Sequence, residues 1–376
     1  MGSLLTRVEP SAARAGDDSM VMTTAAATPA AHDVSFIDDF RSRMDGMFGA
    51  GARIVGLADD PLKTGFADEL RILDGGLATE LERRGHDVST RLWSASVLRT
   101  APEAIEQVHY DYFAAGAQVA ITASYQASYE GFASIGLNAD ATTALLRRSV
   151  ELAQSARTRY RHDNPANKRR LYVAASVGPY GAISHDGAEY RGDYGLTVPQ
   201  LVEFHARRFG VLASSSADVL ACETIPVLDE ARALVTLLER QPDACAWMSF
   251  TSADGIHTSH GEPLVECARL LDRIPNVVAI GVNCVRPEVV SDAIREFRAG
   301  TGKAIVVYPN SGELWDGKTH QWHGSWENDS LAALAPGWIS AGARMVGGCC
   351  RIGPGDIVAL DKALASDPAQ SASLNR

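Results

Sequence analysis

Eight short apolar runs, separated by segments of helical period, predict a (β/α)8 barrel. The runs lie at 70–74, 119–124, 171–177, 218–223, 244–250, 277–284, 304–309 and 343–348. Proline or an acidic residue often opens the segment that follows a run (Pro102, Pro226, Pro287, Pro354-Gly355-Asp356), as first turns of helices prefer. Eight such units over about 300 residues favour a closed barrel over an open sheet.

Taken in order, residues 1–33 are rich in Ala, Thr, Ser and Pro, carry no apolar period and read as disordered. Residues 34–66 form an extension whose Phe36, Ile37, Phe40, Met44, Met47 and Phe48 fall at helical spacing. The barrel domain is expected over 67–376. Its first helix after a strand begins at Pro102, with Ile105, Val108, Tyr112 and Phe113 on one face. The next covers 140–158 with Leu145, Leu146, Val150 and Leu152, and others follow through 197–213, 227–240, 263–272, 287–299 and 355–365. Two long rim loops stand out, 178–195 with Tyr180, Tyr190, Arg191 and Tyr194, and 309–326 with Glu313, Trp315, Trp322 and Trp326.

Composition removes several classes. A net charge of −11 argues against nucleic acid or an anionic membrane as main partner. No run approaches the roughly 18 apolar residues of a membrane span, and the N-terminus has no secretory apolar core. Arg7 and Arg14 fit a mitochondrial leader, but Glu9, Asp17 and Asp18 do not. Six cysteines (222, 245, 267, 284, 349 and 350) in so long a chain do not form a disulfide scaffold, which points to a reducing, cytoplasmic setting. Oligomeric state is not legible.

Three of those cysteines carry the chemistry. Cys284 closes Ala279-Ile280-Gly281-Val282-Asn283-Cys284, and Cys349-Cys350 close the eighth run after Gly347 and Gly348. In a barrel of this class the strand C-termini bear the site. Side chains alternate along a strand, so adjacent cysteines can share a metal only where the chain leaves it, and the two glycines offer that freedom. Three thiolates suit zinc, and a catalytic zinc site leaves a fourth position open. A thiol substrate there would complete a four-sulfur shell and be deprotonated. The bland alternatives are buried cysteines acting as small hydrophobes, or a 349–350 disulfide. Cys222, Cys245 and Cys267 read as core.

The chain is familiar beyond its cysteines. Asp74-Gly75-Gly76-Leu77-Ala78-Thr79-Glu80-Leu81, Ile121-Thr122-Ala123-Ser124-Tyr125-Gln126-Ala127-Ser128, Ser176-Val177-Gly178-Pro179-Tyr180-Gly181-Ala182 and Glu189-Tyr190-Arg191-Gly192-Asp193-Tyr194 resemble the homocysteine S-methyltransferase family. So do Leu220-Ala221-Cys222-Glu223-Thr224, Gly281-Val282-Asn283-Cys284, Val307-Tyr308-Pro309-Asn310-Ser311-Gly312-Glu313 and Gly347-Gly348-Cys349-Cys350-Arg351. The resemblance spans about 68–365, with the fifth strand the thinnest match. Its strings favour the branch that uses a sulfonium donor. It implies a Zn2+ barrel that moves a methyl group from S-methylmethionine, or from S-adenosylmethionine, to the homocysteine thiol, giving methionine. No Gly-x-Gly nucleotide loop follows a strand, so a Rossmann-type S-adenosylmethionine site is not indicated.

The resemblance also implies a site. Cys284, Cys349 and Cys350 ligate the metal, and Asp74 and Glu223 hold the homocysteine ammonium, which needs anionic partners once out of water. For Asp74 the alternative is a helix N-cap. Gly75 and Gly76 offer backbone donors to the carboxylate, and Thr122, Ser124 and Gln126 line the rim. Asn283 contacts substrate or a thiolate, or else satisfies loop backbone. Aromatic rim residues attract a sulfonium cation, or simply fold over the barrel mouth. His320 with His323, and His257 with His260, have loose metal spacing in polar loops and read as non-ligands; His109 reads as structural. The leaving thioether is neutral and needs no general acid, so the protein's task is thiolate generation and alignment. The rivals are a selenocysteine methyltransferase on the same scaffold and a non-catalytic barrel that senses zinc or thiols.

Overall fold

The computed structural model describes residue 66 and residues 69–88, 94–184, 186–316, 321–323 and 330–367, with 370 and 374. The N-terminal extension and its expected helix lie outside these residues, Phe66 excepted.

The eight predicted strands are all present: β1 (Arg71–Ile72), β2 (Val119–Ile121), β3 (Tyr172–Val177), β4 (Val219–Ile225), β5 (Ala246–Phe250), β6 (Val277–Asn283), β7 (Ala304–Tyr308) and β10 (Ala343–Val346). Each pairs in parallel with its neighbour, in the order β1-β10-β7-β6-β5-β4-β3-β2. A Leu73–Val119 bridge closes the ring, with the Gln118 N–H on Ile72 O at 2.7 Å and the Asp74 N–H on Val119 O at 3.0 Å. The rim loop after β7 holds a short antiparallel pair, β8 (Leu314–Asp316) and β9 (Gln321–His323), where the sequence suggests only loop.

The helices outside the ring are α1 (Leu77–Arg83), α2 (Ser94–Thr100), α3 (Pro102–Ala114), α4 (Tyr129–Ala133), α5 (Ala139–Asp163), α6 (Val198–Ala213), α7 (Leu228–Glu239), α8 (Leu264–Asp272), α9 (Val290–Arg298), α10 (Leu331–Ser340) and α11 (Pro354–Ala365). Most follow the apolar period directly. In α9 the buried residues are Val290, Ala293, Ile294 and Phe297, one stripe of a 3.6-residue repeat. The Asn138 side chain caps α5 by accepting the Ala141 N–H at 2.9 Å, which supplies one of the orphan donors of a helix start. α10 escaped the sequence pattern because Pro336 and Gly337 interrupt it, yet Leu331, Ala335 and Trp338 are buried. Among the described residues no helix is long and apolar enough to cross a membrane.

Two apolar clusters result. One lies between ring and helices. The other fills the barrel: Leu73, Val119, Ala174, Val219, Ala221, Trp247, Ala279, Val306, Tyr308 and Met345, with Phe66 against Tyr172 and Trp247. Three alanines offset the bulk of Trp247, Tyr308 and Met345, so the interior is solid and chemistry is left to the strand ends. Gly281 shows how tight the ring is, since a Cβ there would lie 1.7 Å from Val306 O of the next strand.

Candidate metal and substrate site

Cys284, Cys349 and Cys350 meet at the C-terminal end of the barrel. Their three sulfurs lie within 4.8 Å of one another, the one such grouping of potential ligands among the described residues. Cys284 Sγ and Cys350 Sγ are 3.6 Å apart. Thiolates held at about 2.3 Å in a tetrahedron would sit roughly 3.8 Å from each other. The spacing therefore fits a three-sulfur metal seat, and no disulfide links the pair 349–350.

Backbone geometry aims these thiols. Cys284 leaves β6 with φ 52°, a left-handed conformation that is costly for a residue with a Cβ and turns its side chain out of the strand's alternation. Its N–H remains on Tyr308 O at 3.1 Å, so the turn is held by β7. The expectation that Gly347 and Gly348 supply unusual dihedrals is corrected, because neither has positive φ. They are needed for close approach instead. A Cβ on Gly347 would lie 2.5 Å from the Leu73 Cβ, and one on Gly348 would lie 2.2 Å from the Ile352 side chain. The left-handed turn falls on Arg351, at φ 69°. Thr79 at the start of α1 secures it, accepting the Arg351 N–H at 3.1 Å, and the Cys349 N–H is held by Pro309 O at 2.7 Å.

The thiols share their protons unevenly. Hydrogen bonds from Cys349 and Cys350 hold Cys284 well below the ordinary thiol range, and the same contacts raise the other two. The Tyr190 hydroxyl lies 3.1 Å from Cys284 Sγ. Burial and then the Cys284 charge push that phenol well above the tyrosine range, so it keeps its proton and donates to the sulfur.

Both predicted acids stand at this end of the barrel. Asp74 follows β1 and is buried; its Oδ2 accepts the Ile121 N–H at 2.8 Å, and its Oδ1 has no hydrogen-bond partner among the described residues. Burial raises its pKa well above the carboxylate range, and the Glu223 charge adds to the rise. It does not cap a helix, since Gly76 occupies that position of α1. Glu223 lies near the C-terminal end of β4, accepting from Ser176 Oγ through Oε1 and from the Tyr308 hydroxyl through Oε2 at 3.0 Å. Burial pushes it up to about 7. Two buried carboxyls this close, one with an orphaned oxygen, make a site for a cation.

A cavity of about 100 Å³ joins the three thiols to Glu223, with Gly75, Gly76, Thr122, Tyr125, Tyr190, Thr224, Asn283 and Tyr308 also on its wall; Asp74 lies behind Gly75, off that wall. Ser124 and Gln126 are not on that wall. Ser124 Oγ donates to Ser176 O at 2.7 Å, and Gln126 Nε2 donates to Ala182 O at 3.1 Å, so both brace neighbouring backbone. Thr122 Oγ1 lies 2.8 Å from Ser124 Oγ and accepts the Ser176 N–H at 3.0 Å, which steadies the serine that binds Glu223. The Gly76 amide is committed to Ile352 O at 2.9 Å. Asn283 brackets the left-handed Thr224, accepting its N–H at 2.7 Å and donating to its Oγ1 at 2.8 Å, while Ser249 Oγ donates to Asn283 Oδ1 at 2.7 Å.

Several residues of this arrangement had no role in the sequence reading. Tyr308 and Ser176 orient Glu223, and Tyr125 forms wall. The available signal was a lone tyrosine closing the aliphatic β7 run. Cys222 is buried and its thiol is pushed up to about 12 by burial, in keeping with core. Cys245 and Cys267 are buried too. His257 and His260 turn to Asp254 and Glu262 of their own loop, at 2.9 and 2.7 Å, rather than to each other. His109 is fully buried and pushed down to about 4 by burial. His320 and the rim tryptophans 322 and 326 fall outside the residues whose side chains are described, as do Trp315 and His323.

Known proteins resemble this chain over most of its length. The family model described as homocysteine S-methyltransferase matches residues 71–364. A homocysteine S-methyltransferase of Escherichia coli is 49% identical over 293 residues, 78% of this chain and 94% of its own. The Bacillus subtilis homocysteine S-methyltransferase YbgG is 47% identical over 290 residues, covering 77% and 92%. The crystal structure of the E. coli homocysteine methyltransferase MmuM in its metallated form superposes with a TM-score of 0.73 at 46% identity, covering 81% of this chain and 99% of that one. A selenocysteine Se-methyltransferase of Brassica oleracea is 43% identical over 307 residues, covering 78% and 89%.

Proposed function

We propose, for a chain that belongs to the homocysteine S-methyltransferase family, that it uses a zinc ion on Cys284, Cys349 and Cys350 to methylate the thiol of homocysteine from a sulfonium donor, S-methylmethionine, giving methionine. One observation carries the reading: three convergent thiols share the strand-end rim with two buried carboxyls, and one of those carboxyls keeps an oxygen without a partner among the described residues.

When bound, zinc would lower the pKa of the substrate thiol so that a thiolate is populated at neutral pH. The chain's own residues do the remaining work. Asp74 Oδ1 and Glu223 receive the substrate ammonium, whose charge returns both carboxyls to their ionised form. Ser176 and Tyr308 fix the Glu223 oxygens, and Ile121 fixes Asp74, so the substrate sulfur is aligned without further side-chain ordering. Gly75 keeps its place as a backbone donor to the substrate carboxylate, whereas Gly76 serves to seat the loop of Cys349. Thr122 and Asn283 lie on the wall but support the acids and Thr224. Ser124 and Gln126 brace from behind.

The substrate sulfur attacks the methyl carbon of the sulfonium in line. A new C–S bond forms as the old one breaks, its electron pair stays on the departing sulfur, and a neutral thioether leaves. No proton moves in that step, so no acid–base pair is required. Six cysteines that form no disulfide among the described residues suit a reducing, cytoplasmic setting.

The test is methionine formation from homocysteine with S-methylmethionine, S-adenosylmethionine or betaine, by zinc-loaded protein and by a Cys349→Ser variant. Turnover with S-methylmethionine that vanishes in the variant is expected. Failure with every donor, in protein holding one zinc per chain, would overturn the activity, and faster turnover of selenocysteine than of homocysteine would overturn the substrate.

A further inference from the structure

The 178–195 rim loop carries a second buried acid that the thiol substrate does not use. Glu189 is 5% exposed, and its Oε2 has no hydrogen-bond partner among the described residues. The nearest cation in sequence is not available to it, because Arg191 is bonded to Asp186 O and to the carboxylates of Asp186 and Asp193. Burial, with added pressure from the Cys284 and Asp186 charges, pushes the Glu189 carboxyl up to about 7. The Glu189 charge is felt in turn at Cys350, Tyr125 and Tyr190. A buried carboxyl with an oxygen that no described residue satisfies, in electrostatic reach of Cys284 and directly before the cavity-wall residue Tyr190, is costly unless a cation completes it.

Its place in the ring separates it from Asp74, the half of the ammonium site on β1, while Glu223 on β4 is its neighbour. Asp74 follows β1 and is bonded to the end of β2. The Glu189 carbonyl accepts from Thr251 Oγ1 at 3.2 Å, just past β5, which lies four strands from β1 in either direction round the ring. Tyr125 and Tyr190 lie on the cavity wall, and Tyr190 touches Cys284 Sγ. Gly178 and Gly181 let these groups pack. A Cβ on Gly178 would lie 2.7 Å from the Tyr125 ring, and one on Gly181 would lie 2.5 Å from the Glu189 amide.

We infer that Glu189, Tyr125 and Tyr190 form the subsite for the methyl donor and select a cationic one: the carboxylate faces the positive charge, and the tyrosine rings receive the polarised sulfonium methyls. This inference rests on the methyltransferase reading above. It has a kinetic consequence. The donor's charge disappears as the methyl moves, so Glu189 holds the donor cation more tightly than the transition state or the neutral thioether product. Glu189 is therefore a binding and specificity residue that lowers the donor KM and eases product exchange, not one that accelerates methyl transfer.

The experiment compares the zinc-loaded wild type with Glu189→Gln. Calorimetry would measure S-methylmethionine binding without homocysteine, then methionine binding, then homocysteine binding, with steady-state kinetics alongside. Loss of a desolvated charge partner should weaken S-methylmethionine binding and raise its KM by about 10- to 100-fold. The preference for S-methylmethionine over methionine should collapse, kcat should hold or rise, and homocysteine affinity should stay within about twofold. Tyr125→Leu, which keeps Glu189, should weaken the same ligand several-fold and serves if the glutamine variant does not fold. Unchanged donor affinity in either folded variant overturns the inference, as does an equal loss for homocysteine. The two readings fail separately. Turnover with donor affinity independent of Glu189 removes the subsite and leaves the activity; Glu189-dependent donor binding without turnover does the reverse.

Discussion

Replacing Asp74 by Asn tests the ammonium site with little disturbance of the fold. The carboxyl uses one oxygen on the Ile121 N–H at 2.8 Å and leaves the other without a partner among the described residues. Asparagine can keep the Ile121 bond through its own oxygen, so the end of β2 stays anchored. Its NH2 group then takes the place of the orphaned oxygen and points donors where the ammonium would arrive. A hydrogen bond to a charged group contributes about 1.5–3 kcal/mol, and leaving one member of a buried charge pair alone costs about 2–5 kcal/mol. A loss of about 3 kcal/mol corresponds to a fall of roughly 100-fold in homocysteine affinity.

The assay is calorimetric titration of zinc-loaded wild type and Asp74→Asn with homocysteine and with 4-sulfanylbutanoate, which lacks the amino group. The wild type should prefer homocysteine by about two orders of magnitude, and the variant should bind the two thiols about equally. Its melting temperature should hold or rise, because a buried carboxyl has been removed. Homocysteine affinity within about threefold of wild type, in folded and metal-loaded variant, would show that the orphaned oxygen is not where the ammonium sits.

Three further outcomes follow from the same geometry. Glu223 is raised to about 7 by burial, so between its unfolded value and 7 the folded state holds a proton that the unfolded state has released. Its contribution to stability is complete below about pH 4.5 and is lost as pH rises through 7, on the order of 3 kcal/mol. Urea melts of the substrate-free protein should show that decline, Glu223→Gln should reduce it by that share while the part due to Asp74 and Glu189 stays, and an unchanged slope would refute the assignment. Cys350→Ser removes one of three thiolates; zinc measured by atomic emission should drop from about one per chain to a small fraction, while the far-ultraviolet dichroism is retained. Gly281→Ala places a methyl 1.7 Å from Val306 O and should cost about 3 kcal/mol or more in urea unfolding, against a wild-type-like midpoint if β6 and β7 can part without penalty.

How far the site could be read in advance follows from what kind of interaction each residue makes. The strands and their order were legible because a barrel strand is apolar along its whole length, and Cys284, Cys349 and Cys350 were legible because they end such strands. Asp74 and Glu223 stood out for the same reason, charges where an apolar run stops. What stayed hidden depends on contacts between elements far apart in sequence. Tyr308 matters through Glu223, 85 residues away, and Tyr190 through Cys284, 94 residues away. Ser124 and Gln126 look like rim residues from their position after β2, yet their partners are backbone carbonyls of β3 and of the loop beyond it.

The two glycines before Cys349 show the same limit from the backbone side. Sequence marks a Gly-Gly pair as freedom to turn, and here the pair is required because β1 and Ile352 press against it, while the left-handed turns fall on Cys284, Thr224 and Arg351. Non-glycine residues hold such dihedrals only where surrounding bonds over-determine them, and each of the three has such a bond: Cys284 to Tyr308, Thr224 to Asn283 and Arg351 to Thr79. All three lie on or beside the metal seat, so the rim is held in a shape its own residues do not prefer. Backbone strain of this kind is the expected mark of a functional site, and Asn283 and Thr79 contribute by holding two of the strained turns.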